Sequence, residues 1–156
     1  MDVKPRWHTR EDSGLKLDKE VRWWHDGVLV EHPNIIETFN RGVRIDQTGR
    51  VTLTVGKDWC FVTVEDCAYS VIAVDVSEGE RLSVRLSDRT AEWLDTQSLS
   101  LDAEGVLTVR VKDGQAKARF TRTAQSQLGT YFEKEATDPV MHLKVGTKRW
   151  PTSLTS

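Results

Sequence analysis

The sequence lacks most of the features by which a protein declares its chemistry. No stretch approaches the roughly 18–20 consecutive apolar residues of a membrane-spanning helix, and the opening MDVKPRWHTREDSGL has no apolar core of the kind a secretory signal needs. A soluble, cytoplasmic protein is expected, with polar residues 1–14 as a flexible lead-in and Trp7 docked on the domain. Neither charge sign prevails. With 22 Lys and Arg against 24 Asp and Glu, the formal charge of −2 argues against bulk binding to nucleic acid or anionic membrane, while leaving room for a local basic patch. Cysteine is scarce: Cys60 and Cys67 are seven residues apart, roughly 23 Å along an extended strand and far too long for a disulfide. Both are expected to be reduced.

Nucleotide and catalytic signatures are also missing. VGKD and VGTK lack the upstream glycine and the Ser/Thr of a P-loop, and there is no G-x-G-x-x-G or G-x-S-x-G. The histidines of WWHDGVLVEHPN (23–34) and the two cysteines form H-x6-H and C-x6-C, neither of them a compact zinc pair. The neighbouring carboxylates of VED (64–66) point opposite ways if extended, so they form no catalytic pair by default. No metal, cofactor or catalytic residue is expected.

What is present is a repeat. DQTGRVTLTVGKDWCFVTV (46–64) aligns with DAEGVLTVRVKDGQAKARF (102–120) at a constant offset of 56, matching Asp46 to Asp102, Gly49 to Gly105, Thr52 to Thr108 and Val55 to Val111. In the second copy Leu107, Val109 and Val111 alternate with Thr108, Arg110 and Lys112, the pattern of a half-buried strand. Asp113-Gly114 suits a two-residue hairpin turn. Folding there pairs Val111 with Ala116, Val109 with Ala118 and Leu107 with Phe120 on an inner face. The outer face pairs Lys112 with Gln115, Arg110 with Lys117 and Thr108 with Arg119. The same register in the first copy pairs Val55 with Cys60, Leu53 with Val62 and Val51 with Val64, leaving Thr52, Thr54, Trp59, Phe61 and Thr63 outside.

Helices are few. HPNIIETFNRG places Pro33 in a first helical turn and Gly42 at C′, with Ile35, Ile36 and Phe39 as the apolar stripe. RTAQSQLGTYFEKE carries Ala124, Leu128, Tyr131 and Phe132 at helical spacing, weakened by Gly129 and stopped by TDP (137–139). AYSVIAVDV, RLSVRLS, AEWL, SLSL and VMHLKVG read as strands, the last with Met141, Leu143 and Val145 on one face. In WWHDGVLVEHPN, Asp26-Gly27 is a turn between two strands, and His32 caps the following helix or lies in solvent. The fold class is therefore α+β: antiparallel β-hairpins with two helices and an internally duplicated ββ unit. An N-terminal half (15–68) precedes a C-terminal half (69–156) whose strands-then-helix order is pleckstrin-homology-like.

In sequence order these elements resemble the bacterial domain-of-unknown-function family 1285. The likeness runs through WWHDGVLVEHPNIIETFNRGV and GRVTLTVGKDWCFVTVEDCAY, resumes at ARFTR (118–122) and covers most of residues 15–145. Its more specific parts are VED-x-x-aromatic and A-R-apolar-x-R. The resemblance implies two related halves, a pleckstrin-like C-terminal half, and a site between them for a nucleotide-like ligand with a role in signalling. Asp26, Gly27, Glu65, Asp66, Arg119 and Arg122 match its recurrent positions. Cys67-Ala68, the segment LSDRTAEWLD and the tail RWPTSLTS depart from the family pattern.

The first functional expectation is a non-catalytic ligand-sensing or regulatory module for a small anionic ligand. Arg110, Lys112, Lys117 and Arg119, with Arg122 nearby, offer cations to it, Trp59 and Phe61 a stacking surface, and Glu65 and Asp66 come from the resemblance. The second is a protein-interaction module, homomeric or heteromeric, anchored on Trp59 and Phe61. A metal-dependent hydrolase is the weakest.

Overall fold

Alternating apolar residues after Gly14 build the first part of the chain as short strands. In the computed structural model, which describes residues 9–133 and 138–155, β1 (Leu15–Leu17) pairs antiparallel with β2 (Trp23–His25), and β2 with β3 (Val28–Leu29). Asp26 and Gly27 join the last two at positive φ of 48° and 81°, the backbone of a tight two-residue turn. Trp23 goes inward, 1% exposed. Its ring meets Phe39 edge-on at 5.2 Å and its indole N–H donates to Asn40 Oδ1 at 2.8 Å. Both partners lie on α1 (Pro33–Gly42), which His32 caps by accepting the Asn34 N–H at 3.2 Å. The WWHDGVLVEHPN stretch is thus a hairpin, a cap and a helix start.

Gly42 ends α1 for a different reason from the one expected. It is the last helical residue, and a Cβ there would collide with the Thr54 carbonyl oxygen. The apolar stripe is also narrower, since Ile35 is 43% exposed while Ile36 and Phe39 are half-buried. β4 (Val43–Ile45), β5 (Val51–Val55) and β6 (Asp58–Phe61) form a three-stranded sheet, and β7 (Thr63–Val64) runs parallel to β1. The β5–β6 register differs from expectation by two residues: Val55 faces Asp58 and Leu53 faces Cys60. Gly56, at φ 62°, opens a two-residue turn, so Asp58 and Trp59 join the strand. An even shift preserves the faces, and Trp59 and Phe61 stay beside Thr54 and Thr52.

The chain divides into two compact units, residues 1–66 and 67–156. In the second, β8 (Tyr69–Ser77), β9 (Arg81–Leu86), β10 (Ala91–Trp93), β11 (Ser100–Leu101), β12 (Leu107–Val111) and β13 (Ala116–Phe120) form one sheet, ordered β10-β9-β8-β13-β12-β11. Only β8 and β13 within it are parallel. A 3-10 turn, Thr96–Ser98, precedes β11. The β12–β13 register is as expected, and Val109, Val111, Ala118 and Phe120 are buried. Thr108, expected outside, is buried too.

The second helix is shorter than its periodicity indicates. α2 spans Arg122–Gly129, buries Ala124 and Leu128, and stops. Phe132 instead starts β14 (Phe132–Glu133), beside β15 (Val140–Val145) and β16 (Lys148–Thr155). The Lys144 N–H donates to the Tyr131 carbonyl at 2.8 Å, so chain pairing overrides helical spacing there. Residues 149–155 of the tail that departs from the family pattern lie in β16, which pairs with β15 and buries Thr152 and Leu154. No disulfide joins Cys60 and Cys67, and Cys67 is fully buried. No helix among the described residues is long and apolar enough to cross a membrane.

The turns before β5 and β12 share their hydrogen bonds. The Asp46 N–H donates to the Arg50 carbonyl, the Gly49 N–H to the Asp46 carbonyl, and Asp46 Oδ1 accepts from the Thr48 and Arg50 N–H groups. Asp102, Glu104, Gly105 and Val106 repeat that set at the same offset. The architecture is α+β, mostly antiparallel, with two α-helices.

Two glycines give a test. Gly42→Ala should destabilise by about 1–3 kcal/mol through overpacking. Gly129→Ala, with open space around it, should be neutral or stabilising by up to about 1 kcal/mol through helix propensity. Urea unfolding of both variants measures the contrast, and equal midpoints would contradict the close approach of α1 to β5.

Candidate ligand-binding cleft

The residues singled out from the sequence are largely engaged by the chain itself. Trp59 and Phe61 meet edge-to-face at 5.2 Å, with the Arg10 guanidinium 4.4 Å over Trp59 and that of Arg50 3.5 Å over Phe61. Glu11 grips Arg50 through two 2.9 Å hydrogen bonds, the Phe61 N–H donates to the Arg10 carbonyl, and Ser13 Oγ donates to the Phe61 carbonyl. Residues 10–13, from the expected lead-in, therefore lie on this hairpin; Trp7 falls outside the described residues. Glu65 meets Lys16 Nζ at 3.1 Å and accepts the Lys19 N–H at 2.9 Å, while Asp66 is exposed.

The basic hairpin face is not a row of outward cations. Arg119 meets Asp102 at 3.0 Å with its side chain only 12% exposed. Hydrogen bonds from the Val106 and Glu104 N–H groups and from Arg119 hold the Asp102 carboxyl below its ordinary value. Lys112 takes φ 56°, which turns its side chain away from the expected outer row. Its Nζ reaches Asp88 Oδ2 at 2.7 Å and Thr90 Oγ1 at 2.9 Å and lies 5.0 Å from the Tyr69 ring centroid. Its N–H points at both Glu92 carboxylate oxygens at 3.2 Å. Arg110 is exposed and sits across from half-buried Lys117, and exposed Arg122 opens α2.

A cleft of about 310 Å³ opens elsewhere in the C-terminal unit, lined by Arg81, Leu82, Trp93, Leu94, Asp95, Thr96 and Trp150. β9 starts at Arg81 and β10 ends at Trp93, and the two strands pair through Trp93 and Ser83. Trp150 comes from β16, opposite Leu143. Side chains tie these elements together. At positive φ, 59°, Glu80 accepts from both the N–H and the hydroxyl of Thr147, at 2.9 and 2.8 Å. Gln97 Nε2 donates to the Pro151 carbonyl at 2.7 Å, and Ser153 Oγ donates to the Leu99 carbonyl.

The guanidinium of Arg81 lies 4.2 Å over the Trp93 ring, and Trp93 is 46% exposed. Among the described residues no carboxylate pairs with Arg81. Asp95 Oδ1 accepts the Gln97 N–H at 3.2 Å, and among the described residues no side chain engages Oδ2. The Trp150 indole N–H is buried without a hydrogen-bond partner among the described residues, a condition that costs about 1–3 kcal/mol. These elements bring together a planar cation, two indoles and a carboxylate. Sequence reading passed over them because Arg81 heads an ordinary alternating strand and Trp150 sits in the atypical tail. Among the described residues no group of three or more His, Cys, Asp and Glu gathers that could hold a metal ion.

An α+β protein with a cation-and-indole cleft is the class this geometry defines. No protein-family model and no curated protein matches the chain. Among solved structures, it is similar to the crystal structure of a DUF1285 family protein from Silicibacter pomeroyi, at 17% identity over 91% of this chain and 80% of that one, TM-score 0.64. It is also similar to that of a DUF1285 family protein from Shewanella baltica, at 14% identity over 70% of this chain and 85% of that one, TM-score 0.52. The family resemblance read from the sequence is borne out at the level of fold: this chain has the fold of DUF1285 family proteins.

The engaged lysine yields a prediction. Burial alone would raise the Asp88 carboxyl, but hydrogen bonds from Lys112 and Thr90 outweigh it and hold the pKa below its ordinary value. The stability this contributes is fully present above the unfolded-state pKa and is lost as pH falls through the folded one. Lys112→Met should cost about 3 kcal/mol by stranding a buried carboxylate, and Asp88→Asn/Lys112→Met should recover part of that and flatten the acid limb. Urea midpoints across the acid range measure both; an unchanged limb in the double variant would remove Asp88 as its source.

Proposed function

We propose that this protein is a non-catalytic regulatory module that binds a small anionic ligand in the cleft of its C-terminal unit. The observation that carries this reading is Arg81, whose guanidinium stacks on Trp93 at the cleft with no carboxylate partner among the described residues. Lys112 and Arg119, by contrast, are held by Asp88 and Asp102. A stacked guanidinium keeps its forked donors available and pre-oriented for a carboxylate or phosphate. The cleft lining includes no His, Cys or Lys and a single carboxylate, which favours binding over catalysis.

On this reading Lys112 and Arg119 organise the hairpin, and Arg110, Lys117 and Arg122 contribute a positive surface beside it. The matching turns at Asp46 and Asp102 support a duplicated ββ unit, halved near residue 68, and the sheet followed by α2 supports a pleckstrin-like C-terminal half. Self-association or a protein partner is the second reading, favoured by exposed Trp93, and would bury the same indole.

A thermal-shift panel of aromatic carboxylates, amino acids and nucleoside monophosphates tests the proposal. A compound at a hundred times its Kd should stabilise the fold by about 2.7 kcal/mol. Arg81→Gln should leave the ligand-free Tm unchanged and abolish the shift. Equal shifts in wild type and Arg81→Gln would move the site elsewhere, and light scattering showing a dimer that Trp93→Ala dissolves would favour the second reading.

A further inference from the structure

We infer that the ligand class of this cleft is a free aromatic α-amino acid, held as a zwitterion. The inference rests on the anion-binding reading of the cleft and goes further by assigning its other residues. Size comes first: about 310 Å³ lies at the lower end of the roughly 300–1,000 Å³ of small-molecule sites. That suits one ring with a short polar head and is too small for a dinucleotide. Lining chemistry comes second. Trp93, Trp150, Leu82 and Leu94 give a mainly aromatic and aliphatic wall, which an aromatic ring fills by offset or edge-to-face contact.

The polar groups then divide by sign. Arg81 supplies a forked cation for a carboxylate. Asp95 supplies an anion on the same cleft, and among the described residues only its Oδ1 is used, by the Gln97 N–H. Oδ2 is therefore available to accept from an ammonium group. A simple anion would leave that carboxylate unpaired and repelling it, whereas an α-amino acid brings a positive group two bonds from its carboxylate carbon and matches both. Thr96 adds a hydroxyl that donates or accepts at the head group. No bond is made or broken; the ligand is recognised and released unchanged.

The test uses isothermal titration of the full chain with L-phenylalanine, L-tryptophan, 3-phenylpropionate and L-phenylalanine amide. The propionate lacks the ammonium and the amide lacks the carboxylate. The amino acids should bind about ten- to a hundredfold more tightly than either truncated compound, the range expected for losing a charged hydrogen-bonded contact. Asp95→Asn keeps an oxygen that caps the 3-10 turn but loses the charge. It should weaken the amino acids about tenfold or more and leave 3-phenylpropionate unchanged or tighter. Arg81→Gln should weaken every carboxylate. Circular dichroism and Tm confirm that both exposed-site variants fold.

If 3-phenylpropionate binds as tightly as phenylalanine, and Asp95→Asn changes neither, the amino-acid assignment is overturned while the anion-binding reading stands. The amino-acid assignment also falls if no amino acid binds but another anion does so through Arg81. If nothing in either panel binds in an Arg81-dependent way, both fall.

Discussion

The C-terminal unit depends on one short parallel pairing. β8 and β13 lie in register only at Tyr69–Ala118, Ser70–Arg119 and Val71–Phe120, yet they join two antiparallel meanders into a single sheet. Parallel strands require a long crossover, and here β9 to β12 supply it. The pairing ends where β8 shifts register against β9, between Val71 and Ala73. Beyond that point backbone donors in the strands would lack partners, a costly condition in a buried sheet. The amides of α2 meet the need: Gln127 Oε1 accepts the Val74 N–H at 2.8 Å, and Gln125 Oε1 accepts the Leu107 N–H at 2.9 Å. Gln125 Nε2 also donates to the Gly105 carbonyl at 2.9 Å. α2 is therefore part of the sheet's hydrogen bonding as well as a cover for it, and its position follows from where the parallel ladder stops.

The same economy of partners governs the charged residues. Many of the chain's cations have an acceptor: Arg50 in Glu11, Arg22 in Asp18, Arg85 in Asp75, Arg119 in Asp102, Lys112 in Asp88. The exposed pairs among them, such as Arg50–Glu11 and Arg85–Asp75, contribute little stability, but all of them remove guanidinium and ammonium groups from competition for ligands. Arg81 rests on the Trp93 indole, as Arg10 does on that of Trp59, and among the described residues no carboxylate takes up its edge donors.

Legibility follows the range of the forces involved. The β12–β13 hairpin was readable because alternation and an Asp-Gly turn are local, and β2–β3 was readable for the same reason. The two-residue slip in β5–β6 came from Gly56 opening a tighter turn than GKDW indicates, a choice between local options that periodicity alone does not decide. The truncation of α2 was not readable, because Tyr131 and Phe132 keep helical spacing while β15, several residues later in the chain, competes for their backbone. Arg81, Trp93, Asp95 and Trp150 lie as much as 69 residues apart, and no local pattern relates them. The Glu80–Thr147 and Gln97–Pro151 hydrogen bonds that assemble them span 67 and 54 residues.

Lys112 shows why a basic strand face can mislead. Alternation assigns it outward beside Arg110, yet left-handed backbone costs a non-glycine residue roughly 1–2 kcal/mol, and the chain adopts it here. The turn sequence does not demand this, since Asp113 and Gly114 already provide the two positive-φ positions of the hairpin. The compensation is tertiary: a carboxylate with its side chain only 4% exposed, a threonine hydroxyl, an aromatic face and a second carboxylate receiving the backbone N–H. A buried pair of this kind contributes little net stability over an apolar one of equal volume, but it strongly penalises arrangements that separate its members. Its consequence is therefore geometric. It fixes the β12–β13 tip against the Asp88–Glu92 segment, and that segment leads directly into Trp93, so the ion pair that removes Lys112 from the surface also helps set the strand from which the cleft's indole projects.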